Sequence, residues 1–218
     1  MTVGTAIMNT PRFRRLVTSV DELTELIGTP SELVIKKQLA ELDSHMMTFI
    51  AKSPFLLLGT FSRSGCCDVS PRGDAFGLAK VLDAKTLVIP DRRGNRRVDS
   101  LRNILETGRA GLLFLIPGMG ETLRVNGRAC LIRDEDVMAS LAVEGKPPLV
   151  GIVVEVEECF LQCAKAVIRS KLWDSRAGDC ETPLPCFAEM LIDQTKCEGE
   201  TVESLQRQIE DSYANKLY

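Results

Sequence analysis

The chain has 218 residues, a net charge of −3, 44% hydrophobic and 26% charged residues. That is long enough to bury one substantial core, and too acidic in balance for a general nucleic-acid binder. No apolar run approaches the roughly eighteen residues of a membrane helix. Eight cysteines with no CxxC spacing do not make a disulfide scaffold, and they read as reduced thiols of a cytoplasmic protein. The single histidine, His45, leaves both a zinc site and a Ser-His-Asp triad short of partners.

Residues 1–19 lack the apolar centre of a signal peptide and read as a loosely ordered arm. Ser19 with Glu22 has the spacing of a capping box and predicts a short helix ending at Gly28. Thr29-Pro30-Ser31-Glu32 reads as a second start, with Thr29 as N-cap, Pro30 first in the helix and Glu32 third. The helix it opens carries Leu33, Leu39, Leu42, Met46, Phe49 and Ile50 on one face and must stop before Ser53-Pro54. His45 falls in this helix as a surface or core residue.

From Phe55 the hydrophobic period shortens. The runs FLLLGTF, CCDVSP, GLAKVLD and TLVIPD are separated by turn residues and read as strands. VDSLRNILETG reads as a helix ending at Gly108, and AGLLFLIPG as a buried strand. ETLRVNGRACLI alternates, with Leu123, Val125, Ala129 and Leu131 on one face and Thr122, Arg124, Asn126 and Arg128 on the other. A short helix (DEDVMASLAVEG), a further strand (LVGIVVEVEECF) and the start of one more strand (AKAVIRSKLWD) follow. From residue 174 the chain holds ten acidic and four basic residues, with prolines at 183 and 185, and reads as an irregular strap followed by a helix from about Glu200. Short strands with helices before and between them, but without regular crossover helices, predict a mainly β, α+β fold built on a small closed or half-closed barrel. The chain divides into N-terminal arm and helices (1–52), barrel (53–173) and acidic strap with helix (174–218).

PDRRGNRRVDSLRNI, residues 90–104, concentrates five arginines behind a predicted strand and in front of a predicted helix. Free N–H groups at a helix start, beside forked guanidinium donors, suit a phosphate dianion. A solvated basic face paired with the acidic tail fits the same residues, and nucleic acid fits poorly because few aromatics are present to stack bases. DVSPRGDAFG places Ser70, Arg72 and Asp74 at a strand end, as a site or as a polar turn with an internal Arg–Asp pair. The stripe Thr122, Arg124, Asn126, Arg128 needs water, partners or ligand; for Asn126 and Arg128 a solvent-facing sheet is the reading. Trp173 reads as a core or interface anchor. Gly118-Met119-Gly120 lacks the third glycine of a dinucleotide fingerprint, and there is no P-loop and no G-x-S-x-G. With so few acid–base groups, a cofactor would have to bring the reactive atom.

In order, the blocks DVSPRGDAFG, TLVIPDRRGNRRVDSLRNI, GLLFLIPGMGETLRVNGRA and CAKAVIRSKLW resemble the pyridoxamine 5'-phosphate oxidase-like FMN-binding split-barrel proteins, over about residues 30–175. The resemblance implies a six-stranded split β-barrel with N-terminal helices, forming a homodimer with FMN at the subunit interface and acting on a small molecule. It implies that Ser70 and Arg72 face flavin and phosphate, that Ile89 and Pro90 lie beside the ring, and that Asn95, Arg96 and Arg97 hold the phosphate. Thr122 and Arg124 stand where the family has glutamine-x-arginine, with threonine replacing the amide. Lys171 and Trp173 resemble the late basic and aromatic residues offered by the partner, and Arg72 and Trp173 would shape the substrate side. The Arg-x-His block of the vitamin-oxidising members is absent, since no histidine follows residue 45. The expected activity is therefore an FMN-dependent oxidation or reduction of another small molecule. The alternatives are a flavin-storing protein, or a barrel carrying haem or a deazaflavin. No metal ligands and no catalytic side chain are assigned.

Overall fold

The structure, a computed structural model, describes residues 13–74, 77–174, 184–196 and 199–218. Most of the expected N-terminal arm (residues 1–12), Cys180, Pro183 and Cys197 lie outside the described residues. The chain divides into two units, residues 1–37 and 38–218.

The first unit carries α1 (Val20–Ile27) and α2 (Glu32–Lys36). Ser19 caps α1 as expected, its Oγ accepting from the Glu22 backbone N–H at 3.1 Å, while the Glu22 carboxylate accepts from the Thr18 N–H rather than from Ser19, and Gly28 closes α1 with φ +86°. The long second helix is not. Its N-cap is Ser31 rather than Thr29, and α2 ends after five residues.

In the second unit, Leu39 instead exchanges two backbone hydrogen bonds with Cys159, and the Leu42 N–H reaches Ala84 O at 2.7 Å. Asp43 then accepts from the Met46 N–H at 2.8 Å and opens α3 (Ser44–Lys52). Backbone pairing to the sheet outcompetes a continuous helix because it satisfies the same groups while burying Leu42. His45 is exposed on α3.

The sheet comprises β1 (Phe55–Phe61), β2 (Cys67–Gly73), β3 (Lys80–Asp83), β4 (Thr86–Pro90), β5 (Arg109–Leu115), β6 (Thr122–Ile132) and β7 (Gly151–Gln162). Every pairing is antiparallel, in the order β2-β1-β5-β6-β7-β4-β3. Seven strands replace the six that the resemblance implies; the short β3, read from the sequence within GLAKVLD, forms a hairpin with β4 and occupies one end of the order. No pairing joins β2 to β3 among the described residues, so the sheet is not closed.

Helix α4 (Asp99–Thr107) ends at Gly108 as the sequence predicts, and α5 (Glu135–Ser140) follows β6. The segment read as the start of another strand is helical, α6 (Lys165–Ser170), and the strap contains α7 (Phe187–Thr195) before α8 (Val202–Asn215). One core joins Leu56, Leu58, Leu112, Phe114, Leu123, Val125, Ile152 and Val154 of the sheet with Phe49 and Ile50 of α3 and Leu101 and Ile104 of α4. Each fully buried side chain of this kind contributes about 1.5–3 kcal/mol. No helix among the described residues is long and apolar enough to cross a membrane.

A bulge in β7 settles the sheet's alternation. Asn126 pairs with Glu158 but Gly127 pairs with Val156, leaving Glu157 unopposed. Before the bulge Ile152, Val154 and Val156 point inward; after it Cys159 does. Glu157 and Glu158 therefore both face outward, where Arg109 and Arg128 meet Glu157 and Asn126 meets Glu158. Asn126 and Arg128 lie on this outer face, as expected.

The close approach needs glycine at 127, because a Cβ there would lie 1.9 Å from Glu155 O. Gly127→Ala should destabilise the protein by about 2 kcal/mol or more, measured by urea unfolding. Cys159, bonded through its thiol to Glu41 O at 3.2 Å, is pushed up to about 11, first by burial and then by Asp43, Glu158 and Glu41. Three pH units below that value about one molecule in a thousand is thiolate. At pH 8 iodoacetamide should therefore modify the exposed Cys66 and Cys67 and leave Cys159 unmodified until the chain is unfolded, as read by peptide mass mapping.

Candidate functional site

A cavity of about 700 Å³ opens beside the N-terminus of α4. Its walls are the end of β2 (residues 68–72), the loop after β4 (91–98), the first turn of α4, residues 146–149 and Tyr218. Pro90 is the last paired residue of β4, and the Asp91 N–H adds one further bond to Val150 O at 2.9 Å. The chain then turns back on itself. Asn95 Oδ1 accepts from the Arg97 N–H at 3.1 Å, which forms a side-chain-closed turn.

Two non-glycine residues of this loop are left-handed, Arg96 (φ 62°) and Val98 (φ 54°). For a β-branched residue this conformation is strained. Gly94, in the same loop, is not among the positive-φ glycines. Val98 is the N-cap of α4 and offers no side-chain acceptor. The positive end of a nine-residue helix thus borders the cavity without a cap.

Six cationic side chains line the cavity against three carboxylates, Asp68, Asp91 and Asp99. The carboxylates are already engaged. Asp91 holds Arg72 Nη1 at 2.5 Å. Asp99 holds Arg97 Nε at 2.7 Å and lifts that guanidinium above its ordinary value, chiefly through this hydrogen bond and then through charge. Asp68 accepts from Ser100 Oγ at 2.6 Å and Thr60 Oγ1 at 3.3 Å, and the Ser70 and Ser100 hydroxyls lie 2.9 Å apart. Arg93, Arg96 and Lys146 have no ion pair or side-chain hydrogen bond among the described residues. Arg72 Nε is buried without any partner. A buried N–H of this kind is expensive unless something accepts from it.

The tripeptide Arg72-Gly73-Asp74 does not pair within itself. Arg72 turns to Asp91, while Asp74 takes Arg92 Nε at 2.6 Å. Two crossed ion pairs therefore tie the end of β2 to the loop after β4. Arg92 also donates to Leu141 O at 2.8 Å.

Ser70, Arg72, Asn95, Arg96 and Arg97 come together as the sequence suggests. Ile89 and Pro90 do not line the cavity: both are buried in the β4–β7 ladder, and the next residue, Asp91, reaches the wall instead. Thr122, Arg124, Lys171 and Trp173 also lie off this cavity. Thr122 Oγ1 donates to Gln162 at 3.2 Å, Arg124 sits 5.3 Å over the Phe160 ring, and Trp173 Nε1 donates to Met119 O at 2.7 Å. Lys171 closes α6 in the left-handed region. Arg93, part of the arginine stretch read from the sequence, lines the wall, whereas Asp68, Ser100, Lys146 and Tyr218 were missed as wall residues. Ser100 was within reach, since the helix start was visible, but Lys146 and Tyr218 carry no local signal. No group of three or more potential metal ligands occurs among the described residues.

The family model of pyridoxamine 5'-phosphate oxidase matches residues 42–163. Solved structures similar to this chain include HupZ of Group A Streptococcus (15% identity, 56% of this chain and 94% of that one, TM-score 0.46). An FMN-binding protein from Syntrophomonas wolfei is another (12%, 53% and 82%, 0.42). A third is a Clostridium acetobutylicum protein related to general stress protein 26, of the pyridoxinephosphate oxidase family (14%, 56% and 91%, 0.42). No curated protein sequence matches the chain significantly.

The left-handed Val98 is half-exposed, so replacing it removes little packing. Val98→Gly should relieve about 1 kcal/mol of strain and raise Tm by a few degrees in a thermal melt without ligand.

Proposed function

The chain belongs to the pyridoxamine 5'-phosphate oxidase family, and from that premise we propose that the cavity beside α4 binds FMN and that the protein is an FMN-dependent oxidoreductase of a small molecule. The observation that carries this reading is the set of donors without acceptors: buried Arg72 Nε, unpaired Arg96 and the uncapped start of α4. A phosphate monoester dianion has the acceptor oxygens this set lacks. Each charge-assisted bond to it contributes about 1.5–3 kcal/mol.

In this reading Arg72, Arg96, Arg97, the α4 N–H groups and the Ser70–Ser100 hydroxyl pair hold the phosphate, and Asn95 keeps the loop turned towards it. Asp91 orients Arg72, and Asp99 orients Arg97. Bound FMN would supply reversible two-electron redox chemistry that the side chains of the cavity lack. The surplus of cations lowers the cost of negative charge nearby. The seven-strand antiparallel order is then an opened split barrel. Thr122, Arg124, Lys171 and Trp173, which lie off the cavity of their own chain, are read as the contribution of one protomer to the cavity of the other in a homodimer. Oxidation of pyridoxamine phosphate itself is not proposed, since the chain has no histidine after His45.

Titration of the full chain with FMN should give saturable binding and a flavin spectrum near ~450 nm. Arg96→Ala combined with Arg97→Ala should weaken binding at least about 100-fold, two charge-assisted bonds being lost, with little change in Tm. Unchanged affinity in the double variant would end the phosphate assignment. Stopped-flow reduction by NADH or NADPH, followed by reoxidation, separates turnover from storage, and a Soret band in place of the flavin spectrum would point to haem.

A further inference from the structure

Tyr218 lies 144 residues from Asp74 in sequence, yet its hydroxyl donates to Asp74 Oδ1 at 2.7 Å. The other oxygen of the same carboxylate accepts from Arg92 Nε at 2.6 Å. The Asp74 side chain is only 4% exposed, so both bonds form in a place largely closed to water. The Arg92 guanidinium lies 5.6 Å from the centroid of the Tyr218 ring, within cation–π range, and Leu141 O fixes its far side. One ring is therefore held at its hydroxyl and across its face. The phenol stays protonated as a donor, because the bond to Asp74 raises it above its ordinary value.

Tyr218 and Arg92 both line the cavity beside α4. Asp74 and Arg92 also line a neighbouring cavity of about 450 Å³. The three side chains thus stand between the two spaces. Helix α8, which leads to Tyr218, has no buried residue of its own.

We infer that Tyr218 is a ligand-contacting residue that closes one side of the cavity, latched by the Asp74–Arg92 pair, and that it governs how fast a ligand enters and leaves. This rests on the reading of the cavity as an FMN site. With the ring in place, exchange requires the hydroxyl to leave Asp74; without the ring, the side of the cavity stands open. Tyr218→Phe keeps the wall and loses the latch.

Stopped-flow mixing of the full-length chain with FMN, followed by flavin fluorescence, gives association and dissociation rates. Tyr218→Ala should raise both rates tenfold or more with a smaller change in Kd, and Tyr218→Phe should raise both several-fold. A residue that only stabilised the fold would lower Tm and leave the two rates close to wild type. Rates within twofold of wild type in both variants overturn the inference while leaving the flavin reading intact. If Tyr218→Ala fails to fold, Tyr218→Phe decides alone, and wild-type rates in that variant overturn the inference. Failure of the wild-type chain to bind FMN overturns the flavin reading and this inference with it.

Discussion

The site depends on two ion pairs that cross. Arg72 at the end of β2 reaches Asp91 after β4, and Arg92 after β4 reaches Asp74 after β2. Strands β2 and β4 are far apart in the sheet order, with β1, β5, β6 and β7 between them, and no ladder bond connects them. The crossed pairs bring these two strand ends together. The Arg92–Asp74 pair is mostly buried, with side chains 16% and 4% exposed. At that burial a pair contributes more to a unique geometry than to stability: removing one partner strands the other charge, whereas replacing both with apolar groups of similar shape can be neutral. Here the geometry is what matters, because the loop that turns after Arg92 carries Arg93, Arg96 and Arg97.

That dependence explains how much of the site could be read in advance. Arginine density between a strand and a helix start was visible in the sequence, and so were Ser70 and Arg72 at a strand end. Those signals are local, and the five residues they named do converge. What stayed hidden is non-local. Arg72-Gly73-Asp74 invites an internal pair, and only the tertiary arrangement of two distant strand ends exchanges the partners. No local signal in the sequence marks Arg96 and Val98 for the left-handed conformations they take. Tertiary constraints there override residue preference.

The same division runs through the fold. Helix α1, helix α4 with its closing Gly108, and the alternation of β6 follow from caps and periodicity. The expected helix over 30–52 fails at Leu39, whose backbone pairs with Cys159 120 residues away. Hydrophobic spacing alone cannot report that competition, although Asp43 before Ser44 was a legible cap for the shorter helix that forms. The adjacent Glu157 and Glu158 look like an error in an apolar strand, but they mark the bulge where the inward face changes phase. The short β3 was legible within GLAKVLD, and its hairpin with β4 makes seven strands where the resemblance implies six.

The loop after β4 and the end of β2 beside it hold features that raise the free energy of the ligand-free chain. Arg92, Arg93, Arg96 and Arg97 lie close together with like charge, Val98 sits in a strained conformation, Arg72 Nε is buried without a partner, and the helix behind them starts without a cap. Under the proposed function, one event would relieve them together: a compact dianion would neutralise charge, accept from the orphaned donor and cap the helix. A ligand that binds only the folded state stabilises it by RT ln(1 + [L]/Kd), so relief of strain and repulsion enters directly as affinity. On that reading the strain and repulsion sit in the cavity wall, outside the continuous core of β1, β5, β6 and β7.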